Sequence, residues 1–295
     1  FVLKKGDLLV AMTEQAEGLL GSCLRVPDND SFLHNQRLGK VLCSDALDDR
    51  YAYYLLNWSG VRRPVRATSS GTKVRHTSPD RIREVEVPLP PLPIQRRIAG
   101  ILSAYDDLIE VNTRRIKALE EMARRTYEEW FVHYRYPGGD GTRPEGWEQL
   151  TVAHAFEITG GGTPSRKRPD YWEDGSINWY SPTDLTKSGL TFLHRSNDQI
   201  NELGLKKSSA RLFPANSVML TSRATIGAVA INTTEACTNQ GFITCLPNER
   251  VPLFFLYHWV RANVPEFIRH ASGATFKEIS KTIFKGLAFE MPSSD

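Results

Sequence analysis

The chain has 295 residues with 40% hydrophobic and 24% charged side chains, enough to bury more than one core. No apolar run reaches membrane-spanning length, so an integral membrane chain is excluded at the sequence level. The net charge of +3 rules out a strongly polyanionic or polycationic tail protein. The four cysteines (Cys23, Cys43, Cys237, Cys245) form no CxxC pair, which predicts buried thiols in a reducing cytoplasm. The seven histidines show no metal-ligand spacing, so no metal site is expected.

In chain order, residues 1–93 read as a globular α/β segment. "GDLLVAMT" is an apolar strand run ending in small polar residues, "HNQRLGKV" enters a second strand, and "YYLL" belongs to an apolar helix. The segment stops at "VPLPPLP", where four prolines forbid helix. A long helical pattern then begins at Ile94. Apolar residues recur at Ile98, Ile101, Tyr105, Leu108, Ile116, Leu119, Ala123 and Trp130, mostly in alternating steps of four and three, the seam of a coiled coil. Asn112 is a polar exception on that seam. Pairs such as Glu120 with Arg124 fall at i,i+4. The rod is placed at 94–135, followed by a Pro/Gly linker at 136–143. A seam this regular needs a partner helix, expected from outside residues 1–295.

Residues 144–295 repeat the first segment. "NSVMLTSR" parallels "GDLLVAMT", "IGAVAI" parallels "LGSCL", and "TNQGFITC" parallels "HNQRLGKV". "FLYHWV" parallels "YYLL", and "ASGATFKEISKTIFKGLAFEMP" parallels "SSGTKVRHTSPDRIREVEVPLP" without a gap. Five matches in one order indicate a duplicated domain. The second copy extends upstream through "EITGGGTPSRKRPDYWEDGSINWYSPTDL", for which the first has no counterpart; the sequence is expected to be an excerpt of a module–rod–module–rod pattern. The fold class expected is therefore α/β (α+β), two similar globular domains joined by a long coiled-coil-type helix.

The motifs "GGGTPSRKRPDYW…INWYSPTDL", "SRATIG", "TNQGF" and "SGATFKEIS", with "PLPPLPIQRRIAGILSAYDDLIEVN" as a spacer helix, resemble the specificity subunit of Type I restriction–modification enzymes. The resemblance implies two target-recognition domains, each reading half of a split double-stranded DNA site, held apart by paired spacer helices. It implies docking of methyltransferase subunits and, through the complex, of restriction (translocase) subunits. It further implies a non-catalytic chain with no cofactor of its own. Two other readings stay open: the recognition region of a fused nuclease or methyltransferase, and a protein-interaction scaffold.

The candidate DNA-contacting residues follow from chemistry at loop positions. Between Arg62 and Arg97 nine Lys/Arg face three acids, and "PSRKRP" is a second basic cluster, both suited to a polyanion. "GGGTPSRK" lacks the Gly-Lys-Ser/Thr of a phosphate-binding Walker loop. Its Gly161, Gly162, Thr163, Ser165, Arg166 and Lys167 instead suit backbone and cationic approach to a DNA phosphate, or a plain solvated turn. Arg223, with Thr225 in the same turn, can fork onto guanine or form a structural ion pair. Asn239 and Gln240 suit adenine or cap a turn, and Thr275 and Lys277 flank a glycine turn. The counterparts in the first copy are Thr13, Asn35, Gln36, Lys73 and Arg75. Trp172, Trp179 and Tyr180 are expected in the core rather than stacked on bases.

Overall fold

The structure, a computed structural model, describes residues 2–15, 18–71, 73–273 and 275–292. The chain falls into two compact units, residues 1–118 and 119–295. Among the described residues no helix is long and apolar enough to cross a membrane.

The first unit contains β1 (Leu8–Ala11), β2 (Thr13–Glu14), β3 (Cys23–Arg25), β4 (Leu38–Val41), α1 (Asp49–Asn57), α2 (Ser59–Ala67), β5 (Arg75–His76) and α3 (Pro79–Arg83). The apolar run Leu8-Leu9-Val10 is buried, as a central strand requires, with β3 and β4 antiparallel on either side. Helix α1 starts where Asp48 accepts from the backbone N–H of Arg50 and Tyr51, a side-chain N-cap. Its Ala52 packs with Leu8 and Cys23.

The rod is α4 (Leu92–Tyr127), whose 36 residues span about 54 Å. It begins two residues before the expected Ile94. Pro93 fits the first turn, where its missing N–H has no intrahelical role. The helix ends in a π-helical turn over Glu128–Val132. Its start is bolted to the first unit by Gln95, which is wholly buried. The Gln95 Oε1 accepts from Asp48 N at 2.9 Å, and its Nε2 donates to Ala46 O at 2.9 Å and Pro90 O at 2.8 Å. About three turns further along the rod, the Tyr54 hydroxyl donates to Asp106 at 2.7 Å. Residues 104–119 are exposed all round, including Tyr105, Leu108, Ile116 and Leu119 of the seam.

The second unit continues with β6 (Glu148–Thr151), α5 (Val152–Ala155), β7 (Glu157–Thr159), β8 (Ile177–Tyr180), α6 (Pro182–Ser188), β9 (Phe192–Leu193), β10 (Asp198–Ile200) and α7 (Glu202–Lys206). Then follow β11 (Val218–Thr221), β12 (Val229–Asn232), β13 (Ala236–Thr238), β14 (Phe242–Leu246), α8 (Leu253–Ala262), α9 (Val264–Arg269), α10 (Lys281–Gly286) and β15 (Ala288–Met291). A five-stranded sheet runs β7-β14-β11-β12-β9, a three-stranded sheet β10-β8-β13, and β6 pairs with β15. Aromatic side chains dominate this core: Phe267, Phe284 and Phe289 are fully buried around Trp259. A buried side chain of this size contributes about 1.5–3 kcal/mol.

The two units share one frame. Strand β1 lies between β3 and β4 as β11 lies between β12 and β14. The registers coincide: Leu8 faces Arg25 and Val41, and Val218 faces Ile231 and Cys245. The backbone pair Ser70–His76 recurs as Ser272–Glu278, with N···O distances of 3.0 and 2.8 Å in each. Gly71 and Gly273 both have positive φ (97° and 122°). A Cβ there would sit 2.0 Å from Val74 O and 2.2 Å from Phe276 O respectively, so both turns demand glycine. Ser78 and Ser280 cap the helix that follows in each copy.

The thiols follow burial. Cys23, Cys237 and Cys245 are buried and Cys43 is half-buried. Desolvation pushes Cys23 up to about 11 and Cys237 up to about 12.

A candidate nucleic-acid interface at the edge of each copy

In the second copy, long-range bonds bring four separate stretches to one edge. Gly162 N donates to Thr238 O at 2.9 Å, and the Thr163 hydroxyl donates to Gln240 Oε1 at 2.7 Å. Ser222 N donates to Gly241 O at 2.8 Å, and Ile279 N to Ser222 O at 3.0 Å. Arg223 is bridged to Glu278, and Ala224 N donates to Lys277 O at 2.9 Å. The glycines are required by this crossing: a Cβ on Gly161 would lie 1.9 Å from Thr238 O, and one on Gly162 2.0 Å from Ser209 Oγ. Gly161, Gly162, Thr163, Arg223, Asn239, Gln240 and Lys277 are thus gathered. Thr225 and Thr275 are exposed in neighbouring turns, and among the described residues no side-chain hydrogen bond joins either to the cluster.

The individual side chains differ in what they leave available. Arg223 Nε lies 3.7 Å from Glu278 Oε2, with both side chains nearly half exposed. An ion pair of that kind contributes about 0–1 kcal/mol. Asn239 Oδ1 accepts from Gly241 N at 2.8 Å, so this amide builds the turn. Gln240 Nε2 has no hydrogen-bond partner among the described residues.

Arg166 is engaged internally. Its guanidinium stacks 3.6 Å above the Trp172 ring and pairs with Asp198. Trp172 in turn meets Trp179 edge-on at 5.1 Å. Trp179 is buried and donates its ring N–H to Gly162 O at 2.9 Å, and Tyr180 is fully buried, so both rings belong to the fold's interior, with Trp172 half-buried against that core. Ser165 uses its carbonyl on the Trp172 N–H. Of the adjacent cations, Arg168 is held by Asp170, whereas Lys167 is exposed with no ion pair among the described residues.

Lys281 is a cation that sequence reading missed. Its Nζ lies against Gly160, where a Cβ would come within 1.6 Å. Desolvation, and then the Arg211 and Lys285 charges, lower its pKa. Its counterpart in the first copy is Pro79, so the repeat could not flag it.

The first copy has the same edge with different side chains. Met12 N donates to Arg37 O at 2.9 Å, and Thr77 N to Met12 O at 2.9 Å. Asn35 Oδ1 accepts from Arg37 N at 2.8 Å, the same turn that Asn239 makes. Thr13 Oγ1 lies 3.2 Å from His76 Nδ1. Arg75 donates to Ser69 Oγ at 3.3 Å, while Gln36 and Lys73 are exposed. Beneath the edge, the buried Glu14 carboxylate accepts the backbone N–H of Leu20, Leu19 and Gly18 at 2.8, 3.0 and 3.2 Å.

The family described as "Type I restriction modification DNA specificity domain" matches residues 1–121 and 144–295. The chain is 34% identical over 157 residues to the Type I restriction enzyme MjaIX specificity subunit of Methanocaldococcus jannaschii, covering 52% of this chain and 36% of that protein. It is 29% identical over 260 residues to the EcoR124I/EcoR124II specificity subunit of Escherichia coli, covering 82% of this chain and 58% of that one. The chain therefore spans less than two thirds of either relative. In fold it resembles the Type-I restriction-modification system S subunit from M. genitalium, with a TM-score of 0.57 at 15% identity over 97% of this chain and 71% of that one.

Proposed function

Because the chain belongs to the Type I restriction modification DNA specificity family, we propose that its two repeated edges read the two halves of a split duplex DNA target. The observation that carries this reading is the coincidence of the edges: one backbone frame presents Thr13, Gln36, Lys73 and Arg75 in one copy and Arg223, Gln240 and Lys277 in the other.

Phosphates position and base edges specify. Lys167, Lys277, Lys281 and Arg211 would neutralise phosphates in the second copy, with Lys73 serving in the first. Gly161 and Gly162 let the backbone come close, beside Thr163 and Ser165. The Arg223 guanidinium would exchange its weak pair with Glu278 for guanine O6 and N7, and the Gln36 and Gln240 amides would meet base edges. Asn35 and Asn239 hold the turns that aim those glutamines, and Thr225 and Thr275 border the surface. Arg166 would keep the basic loop in shape.

The rod would act as a spacer whose exposed stripe packs on a second helix. In this reading the chain performs no catalysis and needs no cofactor of its own. Methyltransferase subunits dock on it in the cytoplasm and carry the chemistry, and restriction subunits join through them.

Methylome sequencing of the host with and without the gene is the test. A split motif that loses methylation on deletion supports the reading. Unchanged methylation at every motif sinks it.

A further inference from the structure

The helix that follows the first long helix of each copy differs in charge. In the first copy it is α2, which carries Arg62, Arg63 and Arg66 and no acid. In the second it is α9, whose cation Arg269 is paired with Glu266 on the same helix. His270, just beyond α9, lies 2.7 Å from the other Glu266 oxygen.

The basic run between Arg62 and Arg97 sorts by partner. Arg66 lies 3.7 Å from Glu14, Arg83 3.1 Å from Asp80 and Arg96 3.6 Å from Asp48. Hydroxyls take two more: Arg75 donates to Ser69 Oγ at 3.3 Å and Arg81 to Ser70 Oγ at 3.5 Å. Arg62 and Arg63 have no ion pair among the described residues.

These two arginines border a cleft of about 260 Å³, lined also by Glu14, Asn57 and Ser59. Glu14 does not neutralise them, because Oε2 already takes three backbone N–H groups and Oε1 faces Arg66. Arg62 donates one Nη to the Gly18 carbonyl, and its Nε is shut off from water with no partner among the described residues. Arg63 is exposed. Such guanidiniums gain charge-assisted bonds from an anion without giving up an ion pair. The cleft is continuous with the proposed reading edge, since Glu14 follows Thr13 on β2 and lies across from Arg75 on β5. An extended polyanion lying along that edge meets α2 next.

We propose that Arg62 and Arg63 grip backbone phosphates of the duplex beside the first half-site, a contact surface on α2 that α9 does not repeat. The proposal rests on the split-target reading and adds to it a hold that carries no sequence information.

The test titrates the full chain with a fluorescent random-sequence duplex of about 30 base pairs, between about 50 and 200 mM salt. Replacing both residues (Arg62→Gln with Arg63→Gln) should lower the slope of log K against log salt by about two, and Arg63→Gln alone by about one. The single variant removes no side-chain contact of the fold, so it decides the matter even if loss of the Arg62–Gly18 bond disturbs the unit. Arg269→Gln on α9 should leave the slope unchanged. An Arg63→Gln chain with the wild-type slope overturns the proposal, as does an equal fall on Arg269→Gln. So does an Arg63→Gln chain that keeps its hold on the duplex but loses binding to polyglutamate, which would make an acidic protein segment the occupant. A wild-type chain that binds no duplex at the lowest salt sinks the split-target reading and this proposal together. A wild-type chain that binds while the α2 variants match it sinks this proposal alone.

Discussion

Thr13 and Arg223 hold the same position in two copies of one fold. Thr13 sits across its strand from His76, and Arg223 sits across from Glu278. The Thr13 hydroxyl lies 3.2 Å from the imidazole, and the Arg223 guanidinium 3.7 Å from the carboxylate. The backbone frame is common while the side-chain chemistry differs. The proposed reading of two unlike half-sites calls for that combination, since groove geometry is shared and base identity is not.

Arg223→Ala is therefore expected to weaken binding of the matched duplex by about 1–3 kcal/mol and to relax preference at one base pair. Lys167→Ala should weaken binding evenly across sequences and reduce the salt slope by about one. Titrations of matched and altered duplexes at several salt concentrations separate the two. An Arg223→Ala chain that melts earlier yet keeps its discrimination would make the Glu278 pair purely structural.

Glu14 is expected to give the first unit an acid-sensitive step. Its carboxylate is 4% exposed, and the Leu20 N–H above all, with Leu19, Arg66 and Gly18, holds its pKa below the ordinary 4.5. A depressed carboxylate pKa stabilises the fold above about pH 4.5, and that stability fades as pH falls through the lower folded value. Glu14→Gln should cost about 1–3 kcal/mol at pH 7 by weakening bonds to buried N–H groups. It should also flatten the acid limb. Urea midpoints from pH 3 to pH 7 provide the measurement, and an unchanged acid limb would rule this role out.

Gln95→Ala should loosen the start of the rod. The substitution strips partners from Asp48 N, Ala46 O and Pro90 O around a wholly buried site. A loss of about 1–3 kcal/mol is expected, with faster hydrogen exchange confined to the amides near residues 46–48 and 92–98. Exchange unchanged at those amides would show that the polar anchor is dispensable.

Four helix-forming residues inserted after Thr113 fall in the stretch exposed on every side, where the insertion separates the exposed Glu110–Arg114 pair but removes no buried contact among the described residues. The helix grows by about 6 Å, and one base pair advances about 3.4 Å. The unread gap of the methylated motif should lengthen by about one or two base pairs, with both half-sites unchanged. Methylation mapping of the variant reads this directly. An unchanged gap would mean that the rod is not the ruler.

The repeat and the rod were legible in the sequence because their signals are local or periodic. The Asn35 and Asn239 side chains each accept from the backbone N–H two residues on, Gly71 and Gly273 each meet a carbonyl three residues on, and the seam follows helical spacing. Such features repeat wherever their short motifs repeat. Tertiary structure alone sorted equal-looking side chains into different roles. "SRKR" offers three adjacent cations, but only the packing of Trp172 and the position of Asp198 engage Arg166 in contacts within the unit and leave Lys167 without an ion pair among the described residues. Lys281 reaches Gly160 from 121 residues away, and Glu278 finds Arg223 only because two loops cross at one strand end. A cation's partner is set by distances of a few ångströms between residues remote in sequence, and no spacing along the chain encodes those distances.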